Sequence, residues 1–151
     1  MPAFSNSRST HINADPAVVH ALVNDFSEWP KWSPWEGLDP DLKRTFTGPD
    51  AGVGSRYAWA GNSRAGTGTM EIVRSEPSQI EIALEFLKPF RAVSTTRFAF
   101  APVASGTDVI WTMTGQRGVL MNLMGRLYFD KAIGKDFEKG LAALKSAAES
   151  S

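Results

Sequence analysis

From Leu42 to Gly115 the apolar residues of this chain recur at every second position, and that period fixes what they can build. Ile80, Ile82, Leu84 and Phe86 alternate with Glu81 and Glu85, the pattern of a strand with one face buried and the other in water. Tyr57 and Trp59 alternate with small residues ahead of a turn at Gly61-Asn62. Gly68, Met70 and Ile72 share one face of the next segment. Thr96, Phe98 and Phe100 do so after the Lys88-Pro89 break, and Val109, Trp111 and Met113 after Ser105-Gly106. Six strands with short turns between them pair antiparallel as a meander.

The flanks of this region read differently. Arg8 to Asn13 is a short β-compatible segment. A helix start follows, with Asp15 as its cap and Pro16 at the first helical position. Val18, Val19, Leu22, Val23 and Phe26 form one helical stripe. Asp25 to Gly37 then reads D-F-S-E-W-P-K-W-S-P-W-E-G, with Trp29, Trp32 and Trp35 at every third residue around Pro30 and Pro34. Proline fixes φ and removes a backbone donor, so a tight loop is expected here, not a continuing helix. Trp29 and Trp32 are expected to be packing residues. Trp35 stands open between packing and gating a cavity mouth. At the other end Leu120, Leu123, Met124, Leu127, Phe137, Leu141, Leu144 and Ala148 fall on one stripe of a long helix.

Composition narrows the function. A chain of 151 residues, 42% apolar and 21% charged, makes one globular domain over 1–151. Lys plus Arg equals Asp plus Glu at 16 each, so no basic excess points to nucleic acid or an anionic membrane. The absence of cysteine excludes disulfides, thiolate metal sites and a cysteine nucleophile. M-P-A-F-S-N-S-R-S contains no apolar signal core, and no run of about 18 apolar residues is present, so a cytoplasmic protein without membrane insertion is expected. His11 and His20 are the only histidines and read as surface or rim residues; no metal is expected. Nucleophile-elbow, P-loop and dinucleotide-binding motifs are missing, and Gly52-Val53-Gly54 is turn chemistry ahead of Tyr57.

The element order and the motifs N-A-D-P-A-V-V, W-P-K-W-S-P-W and D-F-E-K-G-L resemble the SRPBCC superfamily, which includes lipid-transfer START domains and pollen allergens. The similarity runs from about Arg8 to Ala148 and is nearest to the bacterial polyketide cyclase/dehydrase-like branch. It implies an α+β helix-grip fold: a curved antiparallel sheet of about seven strands around a long C-terminal helix, with a short helical region after the first strand. It also implies a cavity between sheet and helix for a lipid, polyketide or aromatic compound. No cofactor is expected, and the protein is expected to be a monomer or homodimer.

The ligand-binding candidates are Trp35, Tyr57, Trp59, Met70, Ile82, Phe98, Trp111, Met113, Leu123, Leu127, Asp130 and Phe137. Singly, each is more often core packing; together, Trp and Met suit an adaptable pocket. Asp130 falls within the apolar stripe three residues after Leu127, so it is either an acid/base or anchoring group or a structural cap or ion pair. Gly134, one turn on, points to close packing. Enzymatic relatives steer enolates and carbonyls with cavity arginine, tyrosine, serine or acidic residues, but alternation places Arg56 and Arg97 on the outer face if Tyr57 and Phe98 face inward. Binding of a small hydrophobic ligand is the leading expectation. A cyclase, aromatase or dehydratase and a protein-interaction module like the chaperone-activator relatives are the alternatives.

Overall fold

The computed structural model describes residues 3–33, 41–61, 66–88, 92–116 and 135–150. Seven strands form one antiparallel sheet: β1 (Ala3–Ile12), β2 (Lys43–Thr47), β3 (Arg56–Ala60), β4 (Thr67–Glu76), β5 (Gln79–Lys88), β6 (Ala92–Val103) and β7 (Gly106–Gln116). Their order is β1-β7-β6-β5-β4-β3-β2, so β2 to β7 form the expected meander and β1 closes against the last strand. Helix α1 (Pro16–Asn24) follows β1, and residues 135–149 form helix α2. This is the helix-grip fold, with a curved sheet holding a C-terminal helix.

Three local expectations need correcting. The first strand begins at Ala3, not near Arg8, because all ten of its residues pair with β7, Ala3 opposite Gln116 through Ile12 opposite Thr107. Its sequence, A-F-S-N-S-R-S-T-H-I, lacks apolar alternation, so tertiary pairing decides its length. Asp15 occupies the N-cap position with Pro16 beside it, but its side chain makes no cap bond; its backbone carbonyl accepts from Val18 and Val19. The tryptophan segment is not simply a loop. Phe26–Lys31 is a 3-10 helix with Pro30 inside it, started by Asp25, whose Oδ1 accepts from the Ser27 amide and hydroxyl. The wider step of the 3-10 turn tolerates a proline that an α-helix would not.

The core lies between the sheet and the helices. Val19, Leu22 and Val23 of α1 are buried, as are Phe26, Trp29 and Trp32. Phe137, Leu141, Leu144 and Ala148 line the inner side of α2, matching the stripe read from the sequence. On the sheet, Ile72, Ile80, Ile82, Leu84, Phe98, Phe100, Val109, Trp111 and Met113 face this core. Arg56 and Arg97 point outward, paired with Glu71 and Glu81 across neighbouring strands. Arg8 Nε binds Glu138 Oε2 at 3.0 Å, the Lys145 ammonium donates to the His11 carbonyl at 3.0 Å, and the Asn13 amide donates to Glu149 at 2.9 Å. These three contacts run along β1 in register with α2, so the helix lies across the end of the sheet where β1 finishes and β7 begins.

Candidate functional site

Antiparallel pairing sets the inward residues of the sheet in rows, because residues directly opposite one another project to the same side. One row runs Arg8, Trp111, Phe98, Ile80. The next runs Asn6, Met113, Thr96, Ile82, Ile72. A third runs Gly115, Ser94, Leu84, Met70, Tyr57, Phe46. The last runs Trp59, Gly68, Phe86.

The first row is filled. Phe137 of α2 stacks on Trp111 with ring centres 4.1 Å apart and planes 7° off parallel. Trp111 in turn stacks on Phe98 at 4.8 Å, and Trp32 packs edge-on against both at 5.7 Å. Trp29 meets Phe98 edge-on at 6.1 Å. All five rings are buried. Offset and edge-on arrangements of this kind hold aromatic pairs more firmly than area alone accounts for. Phe98, Trp111 and Phe137, read from the sequence as cavity lining, therefore form a wall.

The outer two rows are aromatic and less tightly covered. Tyr57 is 7% exposed, while Trp59, Met70 and Phe86 are only partly buried against the core. Trp59 meets Phe86 edge-on at 5.5 Å and Tyr57 at 6.0 Å, and Phe46 on the edge strand meets Tyr57 at 5.2 Å. Gly68 makes this possible. A Cβ there would lie 2.6 Å from the Trp59 ring and 2.6 Å from the Glu85 carbonyl oxygen, so the indole lies directly across the glycine.

Between wall and aromatic rows lies a polar step. Asn6, Thr96 and Ser94 are 8%, 3% and 8% exposed. Among the described residues Asn6 Nδ2 and Thr96 Oγ1 have no hydrogen-bond partner, and they flank Met113 on either side in the same row. A buried polar group left unpaired costs about 1–3 kcal/mol, so such groups are kept where something else satisfies them. These three residues were missing from the sequence-based candidates. Thr96 was already legible as an inward residue, and Ser94 shares its period, but both were read through their apolar neighbours. Asn6 lay outside the strand as expected.

Tyr57, Trp59, Met70, Ile82, Phe98, Trp111, Met113 and Phe137 thus all belong to one face of the sheet and the helix laid on it. Trp35, Leu123, Leu127 and Asp130 lie outside the described residues, as do Leu120, Met124 and Gly134.

His11 sits apart from this face. His11 Nδ1 meets Asp108 Oδ1 at 2.8 Å, and its Nε2 meets Asn13 Oδ1 at 3.0 Å and Ser105 Oγ at 3.1 Å. These are the members of a Ser-His-Asp set, but Asn13 competes with the Ser105 hydroxyl for Nε2 and the side chains of His11 and Asp108 are 39% and 52% exposed. The cluster ties the end of β1 to the β6–β7 turn at the surface. His20, on α1, packs edge-on to Phe100 at 5.6 Å. Among the described residues no three His, Asp or Glu side chains group to hold a metal ion. No helix among them is long and apolar enough to cross a membrane.

A family model described as polyketide cyclase / dehydrase and lipid transport matches residues 3–149. The chain belongs to this family. Comparison with curated proteins gives no match. Among solved structures, the family fold recurs at low identity. The di-domain ARO/CYC protein StfQ from the steffimycin biosynthetic pathway is 12% identical with a TM-score of 0.76, the likeness covering 98% of this chain and 51% of that one. A Chromobacterium violaceum protein is 17% identical with a TM-score of 0.70, over 96% and 97% of the two chains. The Aha1 dimer of Colwellia psychrerythraea is 17% identical with a TM-score of 0.68, over 97% and 96%. These likenesses establish the fold, and the family description spans both lipid transport and polyketide cyclase / dehydrase chemistry.

Proposed function

We propose that this protein, as one domain, binds a small hydrophobic ligand, such as a lipid, polyketide or aromatic compound, between the inner face of the sheet and the C-terminal helical region. One observation carries the reading. The inner face is divided by the Trp111–Phe137 stack into a solid side under α2 and an aromatic, thioether-rich side where Trp59, Met70 and Phe86 keep accessible surface. Half-covered aromatic rings beside a methionine provide area and adaptability for an apolar guest. The family match, which includes lipid transport, supports the same class of ligand.

Binding is favoured over catalysis because, among the described residues, the buried side chains include no carboxylate, histidine, lysine or arginine: Asn6, Ser55, Ser94, Thr96 and Thr107 are neutral, and Tyr57 is the one titratable group. Acid/base work needs a titratable group within reach of the reacting atom. The candidate for that role, Asp130, lies outside the described residues. If it serves the ligand, Asp130→Asn should keep the fold and weaken binding or turnover; if it caps or pairs structurally, the same change should lower the melting temperature and leave ligand binding alone.

The test is fluorescence titration with an uncharged naphthalene probe, alongside native mass spectrometry of whatever co-purifies. A dissociation constant in the micromolar range is expected, about −8 kcal/mol. Met70→Ala and Trp59→Ala should each weaken it several-fold. Binding that is indifferent to Trp59, Met70 and Met113 would place the ligand elsewhere.

A further inference from the structure

Asn6 Nδ2 and Thr96 Oγ1 are buried on the inner face and find no hydrogen-bond partner among the described residues. They occupy one row, on strands β1 and β6, with Met113 of β7 between them. Two strand spacings set their Cα atoms about 10 Å apart. Ser94 projects from the same face of β6, and opposite it on β7 stands Gly115, which adds no side chain. Gly115 therefore leaves one inward position beside the polar step without a side chain, on the side away from the Trp111–Phe137 wall.

We propose that Asn6 and Thr96, with Ser94 beside Thr96, form two uncharged hydrogen-bonding positions on either side of Met113, one of which takes a carbonyl or hydroxyl oxygen of an electrically neutral, otherwise apolar ligand. This rests on the ligand-binding reading above and adds the chemistry of the ligand's polar end. An amide nitrogen is a donor only, so Asn6 Nδ2 calls for an acceptor oxygen; a hydroxyl both donates and accepts, so Thr96 Oγ1 suits either a carbonyl or an alcohol. A carboxylate does not fit. Buried charge requires an opposite charge, and the cation nearest in this pairing scheme, Arg8, is committed to Glu138 at 3.0 Å. Arg56 and Arg97 face outward and pair with Glu71 and Glu81.

The probes are three naphthalenes of matched shape: 6-propionyl-2-dimethylaminonaphthalene, its 6-propyl counterpart without the ketone, and 6-dimethylamino-2-naphthoic acid. The ketone should bind the native protein about ten-fold more tightly than the hydrocarbon, the worth of one buried hydrogen bond, and the acid most weakly. Asn6→Leu and Thr96→Val keep side-chain size and remove the polar atoms. At least one of the two should shrink the ketone preference to near unity without weakening hydrocarbon binding. Because both atoms lack partners among the described residues, both variants should melt at the same temperature as the native chain or higher, which separates lost recognition from lost structure. Equal binding of ketone and hydrocarbon by the native protein, or an unaltered preference in both variants, would overturn the polar-site inference and leave ligand binding standing. Tightest binding of the acid would overturn it too. Failure of all three probes to bind would remove the binding reading and this inference with it.

Discussion

The indole N–H of Trp32 donates to the backbone carbonyl of Leu22 at 2.9 Å, in the last turn of α1. Trp29 does the same for Val23 at 2.9 Å, and the Gly52 amide takes the Asn24 carbonyl at 3.1 Å. The final carbonyls of a helix have no partner within it. Two buried tryptophans and a turn amide satisfy three of them here, so the 3-10 segment is both the plug of the core and the cap of the helix before it. Trp32→Phe keeps an aromatic ring in place but orphans the Leu22 carbonyl. It should lower stability by about 1–3 kcal/mol in urea unfolding, with the far-ultraviolet spectrum unchanged. Undiminished stability would mean that the carbonyl finds another donor.

Gly68→Ala tests how the Trp59 indole is seated. The new Cβ would lie 2.6 Å from both the Trp59 ring and the Glu85 carbonyl oxygen. The ring can swing away; the strand backbone yields less readily. A loss of about 1–3 kcal/mol is expected, as for other overpacked sites. Adding Trp59→Leu should recover only part of it, since the backbone contact persists. Full recovery in the double variant would show that the ring alone sets the penalty.

Trp111→Ala and Phe137→Ala each remove one half of the stack that joins sheet to α2. Each should destabilise by about 3–5 kcal/mol. Because the rings are in contact, the double variant should fall short of the sum by about 0.5–3 kcal/mol in a double-mutant cycle. Strict additivity would indicate that the two rings pack independently.

Glu149 supplies the pH dependence at the far end of α2. The Lys145 ammonium at 2.5 Å, and then the Asn13 amide, hold its carboxyl below the ordinary value of 4.5, against a smaller opposing effect of burial. A carboxyl whose folded pKa is depressed contributes stability above its unfolded value and loses it as pH falls through the folded one. Glu149→Gln should therefore melt earlier than the native protein at neutral pH, and the gap should close on acidification below about pH 4.5. A gap that stays constant down to strongly acidic pH would assign the effect to the side-chain contacts themselves rather than to ionisation.

Much of the fold was legible because burial is periodic. Ile80–Phe86 alternates so cleanly that strand, face and neighbours followed from it, and the spacing of Phe137, Leu141, Leu144 and Ala148 did the same for α2. Arg56 and Arg97 were placed outward by the same alternation. The period failed where side chains are polar and buried. Asn6 lies in S-N-S-R-S, which has no apolar signal, and only pairing with β7 brings it inside. The second function of Trp29 and Trp32 was illegible for a different reason: their partners are backbone carbonyls, which every residue carries. The wall formed by Trp111 and Phe137 could not be told from lining, since both positions are apolar and inward; what separates them is whether another ring occupies the facing space.

Trp29 and Trp32 have ring centres 4.5 Å apart with planes inclined by 46°. Two indoles so close and so crossed share their electronic excitation, and the sign of their coupled ellipticity depends on the angle between them. Both report on the same joint, where helix, 3-10 turn and sheet meet. The near-ultraviolet circular dichroism of this protein should thus carry a contribution from this pair that is lost when the joint loosens, even if every strand persists.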